Sequence, residues 1–192
     1  MFTERLHCFL LTKSEFGFIL LQSDFGFCIE RTCTAMNDKI KAQNIALNQI
    51  SKRLDVLYHT YGVHTGLSDP AIWMLYSVFE AKGETITQND LAAMWFYPKQ
   101  TVNSAVAVLA GKGYLRLEQL PGMRSGKAVR LTNEGKRLCE EKIAPLIAAE
   151  ERSLMRLTEE EREELVRLTE KQCNMFGEEI AKLTKKGDNS KI

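Results

Sequence analysis

Four polar side chains at the start of one predicted helix have the types and spacing that suit contacts with nucleic acid. They are Lys99, Gln100, Asn103 and Ser104, and they face away from an apolar line formed by Val102, Val106 and Leu109. Amide groups can pair with base edges, lysine neutralises phosphate, and hydroxyls can serve either purpose. No acidic residue interrupts this helix. A solvated helix face without a partner is the alternative, and the absence of acids favours DNA contact.

A basic hairpin follows this helix. Residues 114–119 and 127–131 have the composition of two short strands, and LPGMRSGK between them contains two turn signals, Pro121-Gly122 and Ser125-Gly126. Arg124 and Lys127 are therefore expected near the tip, where they could reach a minor groove or a phosphate. Residues 98–130 contain six basic residues and one acidic residue, a local net charge of +5. An ordinary solvated hairpin is the alternative interpretation.

The elements that position these residues carry strong boundary signals. Ser68 is expected to cap one helix and Gly83 to end it. Thr87 and Asp90 have the spacing of a capping box for the next helix, with Ile86 and Leu91 placed to pack across it. Tyr97-Pro98 then breaks the chain before the polar helix, with Pro98 suited to its first position, and Gly113 ends that helix. This order predicts a winged helix-turn-helix, which places one helix in the major groove of DNA.

Helices are also predicted on both sides of this domain. Residues 37–61 repeat apolar side chains on one face, and Thr158 with Glu161 forms a capping box before a last long helix. Between them, Thr132 is expected to cap a helix that Pro145 bends or interrupts near its end. The apolar faces would be exposed on a monomer, so we expect a second copy to cover them, with half-sites about one DNA turn, ~34 Å, apart. The two faces comprise Ile50, Leu54, Leu57 and Tyr61, and Leu165, Leu168, Phe176, Ile180 and Leu183.

Residues 1–35 differ from the rest of the chain. They contain a near-duplicate, SEFGFILL at Ser14 and SDFGFCIE at Ser23, which is interpreted as two short strands around Gln22 and Ser23. One hypothesis is that Met36 is the physiological start and that residues 1–35 are an upstream extension. The alternative is a disordered arm or an added hairpin. No function is assigned to this segment.

Composition narrows the class of protein. The 192 residues are 44% hydrophobic and 27% charged, which indicates a globular chain, and no apolar run is long enough to cross a membrane. Five cysteines without a CxxC pair favour reduced thiols in the cytoplasm.

His59 and His64 lack the spacing of a metal site, and no nucleophile, base or phosphate loop forms a recognisable catalytic set. We expect no enzyme, no cofactor and no metal. A winged helix used only for protein contacts is the main alternative.

Residues 36–185 resemble the MarR family, the multiple-antibiotic-resistance regulators. The resemblance rests on LSDPAIWMLYSVFE, TQNDLAAMW, YPKQTVNSAVAVLAGKGYL, RLTNEGKRL and PLIAAEERSLMRLTEEEREELVRL, in this order and spacing. It implies a mainly α fold with a small β-hairpin wing, in which residues 36–66 and 133–186 form dimerisation helices. Residues 67–132 then form the DNA-binding winged helix, and residues 187–192 are a tail. It also implies a homodimer that binds a palindromic operator, usually as a repressor, and is released by a small ligand or an oxidant.

The resemblance assigns roles to individual residues. It implies that one set of helix residues recognises DNA bases and that Arg124 and Lys127 of the wing contact DNA as well. We add Arg116, on the first strand of the hairpin, to the predicted DNA-contacting residues. The helix set comprises Lys99, Gln100, Thr101, Asn103 and Ser104. Many members pair a wing Asp with a nearby Arg, whereas this wing contains no acid between Gly122 and Ser125. Arg124 is then available for DNA, or the wing is looser.

The resemblance also implies an effector pocket between the dimerisation helices and the winged domain. Tyr58, Tyr61, Trp73 and Tyr76 would line it for a small phenolic or lipophilic effector. Ordinary core packing is the alternative, and burial preferences favour it for aromatic residues at helical spacing. Neither Cys139 nor Cys173 has a cationic neighbour in sequence that would predict a reactive thiol.

Overall fold

The computed structural model describes the backbone of residues 24–120, 122 and 126–187, and the side chains of residues 37–120, 122 and 126–185. It confirms a mainly helical fold with one small hairpin. The elements are α1 (Asp24–Thr65), α2 (Asp69–Glu80), α3 (Gln88–Met94), α4 (Lys99–Gly111), β1 (Leu115–Gln119), β2 (Lys127–Leu131), α5 (Asn133–Leu138), a π-helical turn (Cys139–Ile143), α6 (Ala144–Leu154) and α7 (Glu159–Gly187).

The chain divides into two units, Met1–Val56 and Leu57–Ile192. Within the first unit, α1 is helical from Asp24, so the strand predicted here is wrong for residues 24–30. A strand needs a partner, and the two described strands pair with each other, whereas a helix extends by local hydrogen bonds alone. Backbone helix continues through Met36. The first copy of the repeat, at Ser14, lies outside the described residues.

In the second unit, α2, α3 and α4 enclose the hydrophobic core. The predicted inner face of α4 is confirmed, because Val102, Val106 and Leu109 are fully buried. The hairpin closes this core as an antiparallel pair in which Leu115 lies opposite Leu131. Val129 donates its backbone N–H to the carbonyl of Ile86 at 2.8 Å, which ties the hairpin to the chain just before α3. The hairpin and the three helices therefore form one packed winged helix.

Most predicted helix boundaries are confirmed by hydrogen bonds. The Thr87 N–H donates to the Asp90 carboxylate at 2.8 Å and the Asp90 N–H donates to the Thr87 hydroxyl at 3.3 Å, so the capping box of α3 is complete. Thr158 and Glu161 exchange the same pair of bonds before α7. Gly113, at φ 78°, lets the Tyr114 N–H reach the Leu109 carbonyl and close α4.

Three boundaries differ in detail from the prediction. Ser68 precedes α2 but its side chain makes no capping bond, and Pro98 is the N-cap of α4 rather than its first residue. α2 ends at Glu80, and Lys82 takes the left-handed conformation at φ 48° one residue before Gly83. Local turn propensity places a helix end only to within a few residues.

The helix type changes just before Pro145, where the sequence predicts a bend or an interruption. Thr132 caps α5 by accepting the Gly135 N–H at 3.0 Å, and the π-helical turn Cys139–Ile143 then separates α5 from α6. Pro145 lies in the first turn of α6, where it has no N–H to donate to the preceding turn. None of the helices in the described part of the chain combines the length and apolarity needed to span a bilayer.

Candidate nucleic-acid interface

The polar face of α4 is exposed as predicted. Lys99, Gln100, Asn103 and Ser104 are all exposed, while Thr101 is half-buried. The first turn of α4 contains no acidic residue. The N–H groups of Thr101 and Val102 donate to the Pro98 carbonyl at 2.9 and 3.2 Å, so the turn that carries the polar side chains is well formed. This face can offer amide, hydroxyl and ammonium groups to a polyanion at once.

The hairpin carries two further predicted residues, Arg116 and Lys127. Both are exposed. Arg116 pairs with Glu118 at 2.8 Å on the same strand, which offsets part of its charge. Lys127 begins β2 opposite Gln119. Arg124 lies outside the described residues, so its place at the tip stays a prediction.

Arg130 has a structural role that its charge alone does not reveal. Its guanidinium donates to the carbonyls of Gly83 and Glu84 at 2.5 and 2.6 Å and to the Thr85 hydroxyl at 3.0 Å. It also lies 3.7 Å from the carboxylate of Glu118. These bonds fasten the loop between α2 and α3 to the hairpin. Arg130 is therefore one of the six basic residues of 98–130, but its guanidinium is bonded to groups of the protein itself.

Three of the four predicted pocket residues form one aromatic cluster. Trp73 lies 4.7 Å from Tyr58, 5.8 Å from Tyr76 and 4.3 Å from Trp95, measured between ring centroids. The hydroxyls of Tyr58 and Tyr76 donate to the two oxygens of Glu150 at 2.6 and 3.2 Å. Tyr61 is separate, because its hydroxyl donates to the Lys142 carbonyl at 2.7 Å.

The environment of the cluster favours neutral phenols. Burial raises the pKa of Tyr76 to about 12, and the nearby negative charge of Glu150 acts in the same direction. The pKa of Tyr58 is raised further, first by burial and then by its bond to Glu150. Both hydroxyls therefore act as hydrogen-bond donors at neutral pH.

Sequence reasoning missed Trp95 and Glu150. Trp95 lies 22 residues and Glu150 77 residues beyond Trp73 in the chain, so no local pattern links them. The Trp95 indole N–H donates to the Ser77 hydroxyl at 2.6 Å, and this bond holds the end of α3 against α2. The aromatic cluster thus also fixes the turn that leads into α4.

Two cavities in the winged-helix region lie away from the aromatic cluster. One, of about 520 Å³, lies between the end of α2, the hairpin and the α5 region, with Phe79, Arg116 and Lys136 among its lining residues. The other, of about 660 Å³, is a groove between the start of α2 and α4 that includes Gln100, Thr101 and Ser104. Neither is lined by Tyr58, Tyr61, Trp73 or Tyr76. The predicted effector pocket is therefore not visible as either of these cavities.

Cys139 is buried, and burial with the neighbouring charge of Glu140 raises its pKa to about 12. Such a thiol is a poor nucleophile at neutral pH. Cys173 is exposed on α7. His59 lies 3.1 Å from the Asp69 carboxylate, and within the described residues no three His, Cys, Asp or Glu side chains are grouped to hold a metal.

The winged-helix region is similar to a known protein family. Residues 65–124 match a model described as the MarR family. Among curated proteins, none matches the sequence. The matched residues include α2, α3 and α4.

Similar folds occur in solved structures. The MepR–DNA complex of S. aureus is 19% identical, with a TM-score of 0.58 over 68% of this chain and 93% of that one. NMB1585, a MarR family regulator from Neisseria meningitidis, is 19% identical, with a TM-score of 0.57 over 71% and 96%. NadR in complex with 4-hydroxyphenylacetate is 18% identical, with a TM-score of 0.55 over 69% and 90%. At these identities the likeness shows the fold.

Proposed function

We propose that this protein is a transcriptional regulator that binds operator DNA through α4, because residues 65–124 match a model described as the MarR family. The observation that carries the proposal is the exposed, acid-free face of Lys99, Gln100, Asn103 and Ser104. Thr101 borders this face. The hairpin supplies positive charge for the adjacent DNA phosphates through Arg116, Arg124 and Lys127. A helix with these side chains can combine base contacts with phosphate neutralisation.

We propose that the protein binds as a homodimer to a palindromic operator and represses transcription from it. On α7, the side chains of Leu165, Leu168, Phe176, Ile180 and Leu183 are each at least 42% exposed. On α1, Ile50 and Leu54 are more than half exposed. Long apolar faces of this kind are rarely left in water by a stable monomer. A two-fold dimer would also match the symmetry of a palindrome.

We propose that a small phenolic or lipophilic effector releases the protein from DNA in the cytoplasm. Support comes from the fold of NadR, whose solved complex contains 4-hydroxyphenylacetate, and from the aromatic cluster of Tyr58, Trp73 and Tyr76. Aromatic faces bury ligand rings favourably, and the donors on Tyr58 and Tyr76 could exchange Glu150 for a ligand. Tyr61 is bound to the Lys142 carbonyl and would border the site rather than enter it.

The test is the salt dependence of binding to duplex DNA, measured by fluorescence anisotropy with the full chain. An operator-binding protein should lose affinity steeply as salt rises, and Lys99→Gln should reduce the slope by about one. Lys182→Gln is the matched control, because Lys182 is an exposed lysine of α7 paired with Glu179. Binding that ignores salt and both substitutions would instead indicate a winged helix used for protein contacts.

A further inference from the structure

Phe96 combines two unfavourable features in the turn between α3 and α4. Its backbone is left-handed at φ 53°, and it is 93% exposed. It directly follows Trp95, the C-cap of α3, so it occupies the position where helices favour glycine. A bulky side chain is strained there, and an exposed aromatic ring gains nothing from the core. Glycine would relieve both features, so stability does not explain this residue.

The neighbours of Phe96 hold the ring outward. Trp95 is anchored inward by its bond to Ser77 and by its stacking on Trp73. Tyr97 is half-buried and packs against the core. Because both flanking side chains are fixed, the Phe96 ring is presented to solvent by a rigid turn. A ring held in this way loses little conformational freedom when it binds a partner.

The turn that carries Phe96 leads directly into α4. Pro98, the N-cap of α4, is only two residues from Phe96, and Lys99 and Gln100 follow immediately. A ring on this turn therefore lies beside the end of the helix that enters the groove in the proposed function. The DNA groups that suit an aromatic ring are apolar, namely the C5-methyl of thymine at the edge of the major groove and the carbon face of deoxyribose.

We propose that Phe96 is a DNA-contacting residue that packs its ring on an apolar group of the operator beside the start of α4. The inference rests on the proposed function and adds to it a contact that carries no charge. Such a contact strengthens binding without releasing counterions, so it should leave the salt dependence of binding unchanged. It also gives a physical reason for keeping a strained, exposed aromatic residue in this turn.

The experiment uses the full chain and a duplex that the wild-type protein itself selects from genomic fragments. Phe96→Gly and Phe96→Asn should keep or raise the thermal midpoint, because both residues tolerate left-handed backbone. We expect both to weaken DNA binding about tenfold with an unchanged salt slope, the loss of one good apolar base contact. Phe96→Trp should retain most of the affinity.

Lys82→Gly is the matched control for strain, because Lys82 is also an exposed, left-handed residue after a helix C-cap. It should raise the thermal midpoint like Phe96→Gly but leave DNA affinity within about twofold, the effect of one distant charge. Duplexes with deoxyuridine in place of thymine distinguish the two apolar groups. If the methyl is the contact, deoxyuridine weakens the wild type and leaves Phe96→Gly unaffected; if deoxyribose is the contact, it changes both proteins equally.

Equal affinity of the wild type and Phe96→Gly for the selected duplex would overturn this inference alone. A wild-type protein that selects no duplex would overturn the proposed function together with it. A fall in the thermal midpoint of Phe96→Gly with lost binding would assign the ring a packing role, and the proposal would then be wrong.

Discussion

Asn103 and Lys127 are both exposed, yet their side chains should contribute to DNA binding in different ways. Asn103 lies on α4 and offers a planar amide that can form two hydrogen bonds with one base edge. Lys127 lies at the start of β2 and offers a point charge that any phosphate can accept. The first side chain can distinguish sequences, and the second cannot.

Replacing Asn103 with Ala should therefore reduce the difference in binding free energy between the operator and unrelated DNA by about 1–3 kcal/mol. Replacing Lys127 with Ala should weaken all sequences similarly and lower the salt slope by about one. Titrations of both variants against a specific and a scrambled duplex check the two effects. If neither substitution changes operator affinity, the assignment of these site residues is wrong.

The phenols of the aromatic cluster predict a response to alkaline pH. An unfolded chain releases the Tyr76 proton near pH 10, whereas the folded protein holds it until about pH 12. The stabilisation from the neutral phenol is thus fully present below pH 10 and is lost as pH rises toward 12. Urea unfolding at pH 8 and pH 11 should show a smaller decrease in unfolding free energy for Tyr76→Phe than for wild type. Tyr114→Phe, outside the cluster, serves as control; a Tyr76→Phe decrease equal to wild type would contradict the prediction.

At the scale of elements, the close approach of α5 to the start of the hairpin controls where the wing lies. Gly135 is buried, and a Cβ at this position would collide with the carbonyl oxygen of Tyr114. The same carbonyl accepts the Thr132 N–H at 3.1 Å, so it cannot move without breaking the connection between hairpin and helix. Glycine is therefore required here for space rather than for backbone freedom.

Gly135→Ala should lower the unfolding free energy by about 1–3 kcal/mol, the usual cost of overpacking a closed site. Gly111→Ala is the matched control, because Gly111 is helical and has open space around its Cα. It should stabilise the protein by up to about 1 kcal/mol. Chemical denaturation of the two variants measures both changes, and a neutral Gly135→Ala would show that the hairpin can shift.

The elements that the sequence predicts well are those determined by short-range chemistry. Thr87 with Asp90, Thr158 with Glu161, and Gly113 each mark a helix end by bonds that span only a few residues. The burial of Val102 and Val106 likewise follows from helical periodicity. These features were enough to predict the winged helix and the exposed face of α4.

The features that could not be predicted depend on distant partners. Glu150 joins Tyr58 and Tyr76 from a separate helix, and Arg130 bonds to carbonyls more than 40 residues earlier in the chain. The sequence shows Arg130 only as one of the six basic residues of 98–130 and does not reveal these bonds. The left-handed backbone of Phe96 could not be predicted either, because the sequence does not show which residue of a turn takes that conformation.

At the scale of the whole molecule, the apolar line on α7 predicts self-association. Phe176 is 59% exposed and its substitution should leave the fold of a single chain intact. Phe176→Glu should shift the protein from dimer toward monomer and weaken operator binding, because a charge in an apolar interface is costly. Sedimentation velocity measures the shift. Val166→Glu is the matched control, since Val166 is exposed on α7 but lies off this line. A wild-type protein that sediments as a monomer at micromolar concentration would contradict the dimer.

In the proposed dimer, two copies of α4 are held at the separation of successive major grooves. Selection of genomic fragments by the purified full-length protein, followed by sequencing, tests it most directly. The recovered fragments should share an inverted repeat whose half-site centres lie about one helical turn, ~34 Å, apart, and Asn103→Ala should weaken this enrichment. Fragments without symmetry, or no enrichment over the starting pool, would contradict it.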